Sequence, residues 1–272
     1  MTPPETGDIP ATLGAAVRRE FARALHPPFE TFVVVAINGV MMAVIWFVLP
    51  PHLKDDVFSI HGSLGFALVL AAWMYSDVPA TNVLGSDAAR TAVAVGDPVL
   101  FRRLLYAKNI MLWTLVTPIC IIVAVTYDAA THDALATLYS VIWIGIVPFG
   151  VLGISQLVGV LFPYHPLALR DRWEHHRPSR RMLVRWGVLV FTPYVVVPFL
   201  GVAIMAPSLL VWGLTAPNGL SGKLPDSHLG WGVALACAVA LVCAFGGHRI
   251  GSTVAYRRRE KLSAYLLDPS RG

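Results

Sequence analysis

The stretch LATLYSVIWIGIVPFGVLGISQLVGVLF, residues 135–162, runs for 28 positions without a single Asp, Glu, Lys or Arg. A helix needs about 20 apolar residues to cross the hydrocarbon core of a bilayer. The stretch is therefore predicted to span a membrane. The composition of the whole chain agrees, because 56% of its 272 residues are hydrophobic and 14% are charged. A soluble domain has about 25% charged residues, so both a soluble globular domain and a disordered chain are excluded.

The same length criterion predicts an all-α integral membrane fold with six transmembrane helices. They are expected at about 31–50, 57–76, 109–127, 135–162, 186–214 and 230–250. The fifth contains Pro193, Pro198 and Pro207, and proline removes a helix hydrogen bond. We therefore expect a span to about Ala203, followed by a broken or re-entrant piece through Thr215. Residues 1–30 are interpreted as a tail and interfacial helix, 31–250 as the transmembrane domain, and 251–272 as a basic tail.

Basic residues decide the predicted orientation. With the N-terminus in the cytoplasm, 19 of the 21 Lys and Arg residues fall in the inner segments, and only Lys54 and Lys223 lie outside. Cytoplasmic loops of membrane proteins carry such an excess of positive charge. Both termini are therefore predicted to be cytoplasmic, in a multi-pass protein of the cell membrane. Because the basic residues are spread over four segments facing lipid headgroups, the net charge of +5 does not indicate nucleic-acid binding.

An amphipathic helix is predicted over residues 11–25, ahead of the first span. Its apolar face carries Leu13, Val17, Phe21, Ala24 and Leu25. The basic residues Arg18, Arg19 and Arg23 lie at the boundary or on the opposite side. This pattern is typical of a helix in the membrane interface, although packing against another subunit would produce the same pattern.

The connection from about 77 to 108 is long and too polar to span. Turn-forming residues at Pro79, Gly85-Ser86 and Gly96-Asp97-Pro98 predict two short helices there. Such a segment at the membrane face offers a docking surface for a soluble partner, and a passive linker would have a similar composition.

Motifs of enzyme chemistry are missing from the sequence. It has no GxxxxGK[ST] phosphate-binding loop, GxSxG elbow, HExxH pair or CxxC pair. Its three cysteines lie in apolar runs. Asn38 and His61 fall within predicted spans, where each either lines a substrate path or hydrogen-bonds a neighbouring helix. The sequence favours the second role. No metal ligand or cofactor-binding residue is predicted on this chain.

Several residues of the inner segments carry a family resemblance. They are Asn82, Gly85 and Asp87, then Pro98, Arg102-Arg103 and Lys108-Asn109 before the third span, and Phe162-Pro163 after the fourth. This series resembles the inner loop of type-2 ABC exporter permeases, and the six-span layout with an interfacial N-terminal helix is similar over nearly the whole chain. The serine or threonine usual in that loop is replaced here by Val99-Leu100.

The resemblance implies a transport subunit that forms a substrate path with a second permease, as a homodimer or heterodimer. ATP and magnesium would bind a separate ABC ATP-binding subunit, so this chain would not itself be an enzyme. The residues expected to couple to that partner are Arg18, Arg19, Arg23, Asn82, Gly85, Asp87, Arg102, Arg103 and Lys108.

Two alternatives remain open at the level of the sequence. One is a membrane-embedded enzyme that uses His61, His165, His175 or His176. The other is an accessory or scaffold membrane protein without a transport path. The sequence names no substrate in either case.

Overall fold

The structure is a computed structural model, and it describes residues 9–26, 29–48, 50, 63–76, 78–82, 84–129, 134–163, 180–215 and 226–268. Within these ranges the secondary structure is entirely helical. The α-helices are α1 Leu13–Ala24, α2 Glu30–Val48, α3 Ser63–Met74, α4 Val78–Thr81, α5 Ala88–Ala94, α6 Pro98–Ala129, α7 Ala134–Leu161, α8 Arg180–Thr215, α9 Asp226–Arg257 and α10 Arg259–Leu266. A 3₁₀ turn, Gly85–Asp87, precedes α5.

Four of these helices contain segments long and apolar enough to cross a membrane. These segments are Pro98–Thr126, Thr137–Leu161, Val190–Pro207 and Gly230–Arg257. They coincide with the last four predicted spans, and the architecture is that of an α-helical membrane protein. Helices α2 and α3 overlap the first two predicted spans and are described over 19 and 12 residues. The number six for the spans therefore stays a prediction.

The helix that contains the third predicted span begins before the apolar stretch does. Helix α6 starts at Pro98, eleven residues before the predicted boundary at Asn109. Its first turn is capped by Asp97, whose Oδ1 accepts hydrogen bonds from the amides of Val99 at 2.8 Å and Leu100 at 3.4 Å. Proline suits the first helical position because its missing N–H has no partner there in any case. A length criterion based on hydropathy detects only the apolar part of such a helix.

The break expected after Ala203 is wrong. Helix α8 continues without interruption from Arg180 to Thr215 and includes Pro193, Pro198 and Pro207. Each proline removes one backbone hydrogen bond, whereas ending the helix inside an apolar segment would leave several backbone groups unpaired in hydrocarbon. The continuous helix therefore has the smaller cost.

Helix α7 lies at the centre of the main apolar core and packs against α3, α6, α8 and α9. Its closest neighbour is α9. A Cβ atom added at Gly150 would lie 2.6 Å from the carbonyl oxygen of Ala240, and one at Gly153 would lie 2.5 Å from the Cα of Ala244. We call this contact the glycine seam. The sequence has several glycines in α7, and at these two the backbones of α7 and α9 come into direct contact.

A second apolar core lies at one end of the bundle. It contains Leu84, Phe101, Leu105 and Val160, together with Leu262 and Leu266 of α10. The C-terminal segment, predicted only as a basic tail, thus includes a short helix that packs against α5. The Ser263 hydroxyl donates to the carbonyl of Ala92 at 3.3 Å, which adds a polar contact between the two helices. This end of the molecule brings together α1, α5, α10 and the start of α6.

Candidate functional site

Helix α1 begins where the hydroxyl of Thr12 caps it by accepting a hydrogen bond from the amide of Ala15 at 3.3 Å. Its buried side consists of Ala16, Glu20 and Ala24, spaced four residues apart. Small residues at both ends of that row let the helix approach α6 closely, and the one long side chain between them is an acid. Glu20 is only 4% exposed.

Five charged side chains meet around Glu20, and we call them the ion cluster: Glu20 and Arg23 of α1, Asp87 of the 3₁₀ turn, Arg90 of α5 and Lys108 of α6. Glu20 pairs with Arg90 through Oε1 and with Lys108 through Oε2, the latter at 3.2 Å. Asp87 Oδ2 pairs with Arg23, lies 2.6 Å from Nε of Arg90 and is 3.9 Å from Nζ of Lys108. Two carboxylates therefore bridge three cations from three separate elements.

Burial makes these pairings consequential. The side chain of Arg90 is 2% exposed and that of Lys108 is 10% exposed. A charge removed from water loses several kcal/mol of hydration, which only close partners and hydrogen bonds offset. Moving α1 away from α6 would leave the two cations without the carboxylate of Glu20. The ion cluster therefore makes α1, the segment 85–94 and the start of α6 behave as one mechanical unit.

Arg103 adds a further connection at this end of the molecule. Its Nη1 donates a hydrogen bond to the carbonyl oxygen of Pro10 at 3.1 Å. The neighbouring Ile9 is buried in the second apolar core. Residues ahead of α1 are thus also anchored to α6, while Arg102 at the preceding position remains partly exposed.

The structure brings together three of the residues singled out from the sequence, Arg23, Asp87 and Lys108, in one cluster. Arg18 and Arg19 lie on the exposed side of α1. Asn82 and Gly85 are buried in the segment that leads into the 3₁₀ turn. The apolar residues Leu13 and Leu25 are exposed in the protein alone, which leaves an apolar strip on α1 available to lipid.

Glu20 and Arg90 complete the ion cluster, and sequence reasoning missed both as site residues. A signal for Glu20 is present: it is the one acidic residue of α1, and it lies between Ala16 and Ala24 at helical spacing. An acid in a row of small apolar residues indicates a buried partner of opposite charge. Arg90 offers no comparable signal, since an arginine in a short segment outside the predicted spans is most simply interpreted as solvated.

Asn38, a candidate for lining a path, is 2% exposed and bonds to neighbouring helices. Its Oδ1 accepts from the hydroxyl of Tyr194 in α8 at 3.3 Å, and its carbonyl oxygen accepts from Nε1 of Trp73 in α3 at 3.2 Å. These contacts fit the interhelical role that the sequence favours. His61, the other candidate, lies outside the described residues, as do His165, His175 and His176.

A second buried polar contact joins α6 to α7 and α9. Nδ2 of Asn109 lies 3.1 Å from the carbonyl oxygen of Leu152 and 3.1 Å from Nε2 of His248. The imidazole of His248 stacks on the ring of Tyr106, with 3.8 Å between centroids and 6° between planes. This histidine was not identified from the sequence. Both of its ring nitrogens have partners: Nδ1 lies 2.5 Å from the carbonyl oxygen of Ala244 in the same helix, and the contact of Nε2 with Asn109 connects α9 to α6.

No group of three or more His, Cys, Asp or Glu side chains suited to a metal ion occurs in the described part of the chain. Comparison with protein-family models, curated proteins and solved structures finds no match to this chain.

Proposed function

We propose that this chain is the permease subunit of an ATP-driven exporter of the type-2 ABC class. The observation that carries the proposal is the ion cluster, which joins an amphipathic surface helix, a short polar segment and the base of a long apolar helix. A transporter powered from outside the membrane needs such a connection, because movement at its surface has to reach the helices that line the path.

The ion cluster connects the surface helix α1 to the long helix α6. Helix α6 has 32 residues; Lys108 joins it to the ion cluster in the first third of its length, and its residues in the main apolar core follow from Leu112 onward. A rigid helix held at one end by Glu20 and Asp87 transmits a displacement of α1 into the bundle. An ordinary interfacial helix that only rests in the lipid headgroups needs no buried carboxylate facing the bundle.

Exposed basic side chains offer a surface on which a partner could dock. Arg18 on α1 is exposed, Arg102 on α6 is partly exposed, and Arg257, Arg259 and Lys261 at the α9–α10 junction are exposed. Basic groups at one face steer the docking of an acidic or polar partner surface. We assign this face to the cytoplasm, with six spans and both termini inside, in agreement with the distribution of the 21 basic residues.

In this proposal, ATP and magnesium bind the partner ATPase, and a second permease, identical or different, completes the substrate path. The chain itself is a transport subunit in the cell membrane rather than an enzyme. The missing phosphate-binding loop agrees with that division of labour.

The proposal is tested by isolating the tagged full-length chain in mild detergent from the membranes of its own cell. We expect a chain with a Walker-type ATP site to be recovered in a fixed ratio, and ATP hydrolysis by the complex to require the lysine of that site. Recovery of the chain alone, folded and without ATP hydrolysis, contradicts the proposal and favours an accessory or scaffold protein.

A variant of this chain tests the proposed coupling role of its basic residues. Replacing Arg102 and Arg103 together with alanine is expected to abolish the ATP turnover that the permease stimulates, while the protein stays folded. Arg249→Ala, which removes an exposed arginine from α9, serves as the control and should leave turnover unchanged. Normal turnover in the double variant argues against a coupling role for these two arginines.

A further inference from the structure

A cavity lies in the bundle where the end of α3 meets the middles of α7 and α8. Including the space at its open side, its volume is about 420 Å³. The residues that line it include Ala71 and Ala72 of α3, Tyr75 directly after α3, Trp143 and Val147 of α7, and Val197, Gly201 and Met205 of α8. The cavity is open on one side, so a chain that enters it stays continuous with the space outside the bundle.

The lining of the cavity is almost wholly apolar. The hydroxyl of Tyr75 is directed elsewhere, since it lies 2.5 Å from the hydroxyl of Thr117 and 3.4 Å from the carbonyl oxygen of Trp113. A water molecule inside a protein needs two to four polar partners, and apolar cavities stay dry or bind apolar molecules. The chemistry of the lining therefore selects hydrocarbon over water or a polar solute.

The position of the cavity indicates where that hydrocarbon comes from. Its α8 wall lies within the apolar segment Val190–Pro207, and the same segment exposes Val195 at 68% and Phe199 at 70%. In a bilayer those exposed side chains face acyl chains. Gly201 leaves the wall without a side chain, and a Cβ atom added there would meet nothing within 4 Å. A lipid chain next to α8 thus has room to enter beside Gly201.

We infer that this cavity binds one acyl chain of a membrane phospholipid, inserted between α3, α7 and α8. The site requires only that the bundle lie in a bilayer. It is therefore independent of the proposed partnership with an ATPase, and it goes beyond that function by naming a ligand of this chain.

The site is tested with a phosphatidylcholine that carries a photoreactive diazirine at the end of one acyl chain. The full-length protein is reconstituted in nanodiscs containing this lipid, irradiated and digested, and the adducts are located by mass spectrometry. We expect adducts at lining positions such as Val147 and Val197 as well as at Val195 and Phe199. The last two face bulk lipid, so they report labelling that does not depend on the cavity.

Two matched variants distinguish labelling inside the cavity from labelling by the surrounding lipid. Gly201→Phe places a ring in the open space and should lower the adducts at Val147 about tenfold, equivalent to the loss of about 1.4 kcal/mol of binding. Gly187→Phe changes the same helix at another glycine where an added Cβ meets nothing within 4 Å. It should leave the adducts at Val147 unchanged, and neither variant should alter labelling of Phe199.

The wild-type protein alone already decides the main point, even if Gly201→Phe fails to fold. Adducts at Val195 and Phe199 without any at Val147 or Val197 overturn the inference, because the chain would then not enter the cavity. Equal loss of the Val147 adducts in both glycine variants also overturns it.

Discussion

At the glycine seam two helices touch through their backbones, whereas at the ion cluster four elements meet through five charged side chains. The seam joins α7 to α9 at Gly150 and Gly153, where no atom larger than hydrogen fits. The ion cluster joins α1 to the 3₁₀ turn, α5 and α6 through Glu20 and Asp87. One contact depends on the absence of side chains and the other on long, flexible ones.

The two contacts differ in what holds them together and therefore in what disrupts them. Close-packed apolar contacts have one arrangement and are insensitive to salt. Buried ion pairs hold their elements together only while every partner is present, because removing one partner leaves an uncompensated buried charge. The seam therefore forms the rigid centre of the bundle, and the ion cluster attaches α1 to it, as the proposed coupling requires.

The largest effect is expected from removing the shared carboxylate. Glu20→Ala should destabilise the contact between α1 and the bundle by about 3–5 kcal/mol, because Arg90 and Lys108 lose a buried partner. Hydrogen exchange of α1 amides in the detergent-purified chain measures the change. Glu260→Ala, which removes an exposed glutamate from α10, is the control and should have little effect. Unchanged protection in Glu20→Ala would show that α1 is held by its apolar contacts alone.

A smaller loss of stability, which affects the whole protein, is expected from substitution at the glycine seam. Gly153→Ala forces a methyl group to within 2.5 Å of the Cα of Ala244, so α7 and α9 must separate. We expect a loss of about 1–3 kcal/mol, typical of overpacking, in SDS-titrated unfolding of the purified protein. Gly145→Ala, on the same helix with nothing within 4 Å of the added Cβ, should be neutral or slightly stabilising. Equal stability of the two variants would contradict the close approach of the helices.

The smallest loss of stability is expected from substituting Arg23, the most exposed residue of the ion cluster. The side chain of Arg23 is 38% exposed, so Arg23→Gln should cost less than about 1 kcal/mol, and the difference should shrink as salt is added. Exchange of α1 amides at low and high ionic strength checks this, with Arg18→Gln as the control on the same helix. A loss as large as that of Glu20→Ala would mean that Arg23, rather than Glu20, organises the cluster.

The sequence predicts the helices well where hydropathy alone defines them. The stretch 135–162 becomes α7 with nearly the same bounds, Ala134–Leu161, because a helix in lipid must satisfy its own backbone. It predicts α6 less well, since Arg102, Arg103 and Lys108 interrupt the apolar pattern although the helix continues through them. The prolines of α8 wrongly predict a break in the helix. Proline disfavours a helix locally, but unpaired backbone groups in hydrocarbon would cost more free energy than the helix loses at each proline.

The ion cluster could be predicted only in part. Arg23, Asp87 and Lys108 stand out as charges near the predicted interface, but which of them meet depends on how α1 is rotated about its axis. That rotation is set by Ala16, Glu20 and Ala24 packing on α6, a tertiary contact that helical periodicity alone does not specify. For the same reason the stacking of Tyr106 on His248, 142 positions apart, leaves no trace in the local sequence.

The central claim is that the ion cluster couples a partner ATPase to the helical bundle, and Glu20→Gln tests it most directly. This change keeps the size of the side chain and removes its charge. In the purified complex, ATP turnover per bound ATPase is measured for the wild type and the variant, after gel filtration has selected folded material. The account predicts that the variant still binds the ATPase but that turnover falls to the rate of the isolated ATPase. Wild-type turnover in Glu20→Gln would contradict it.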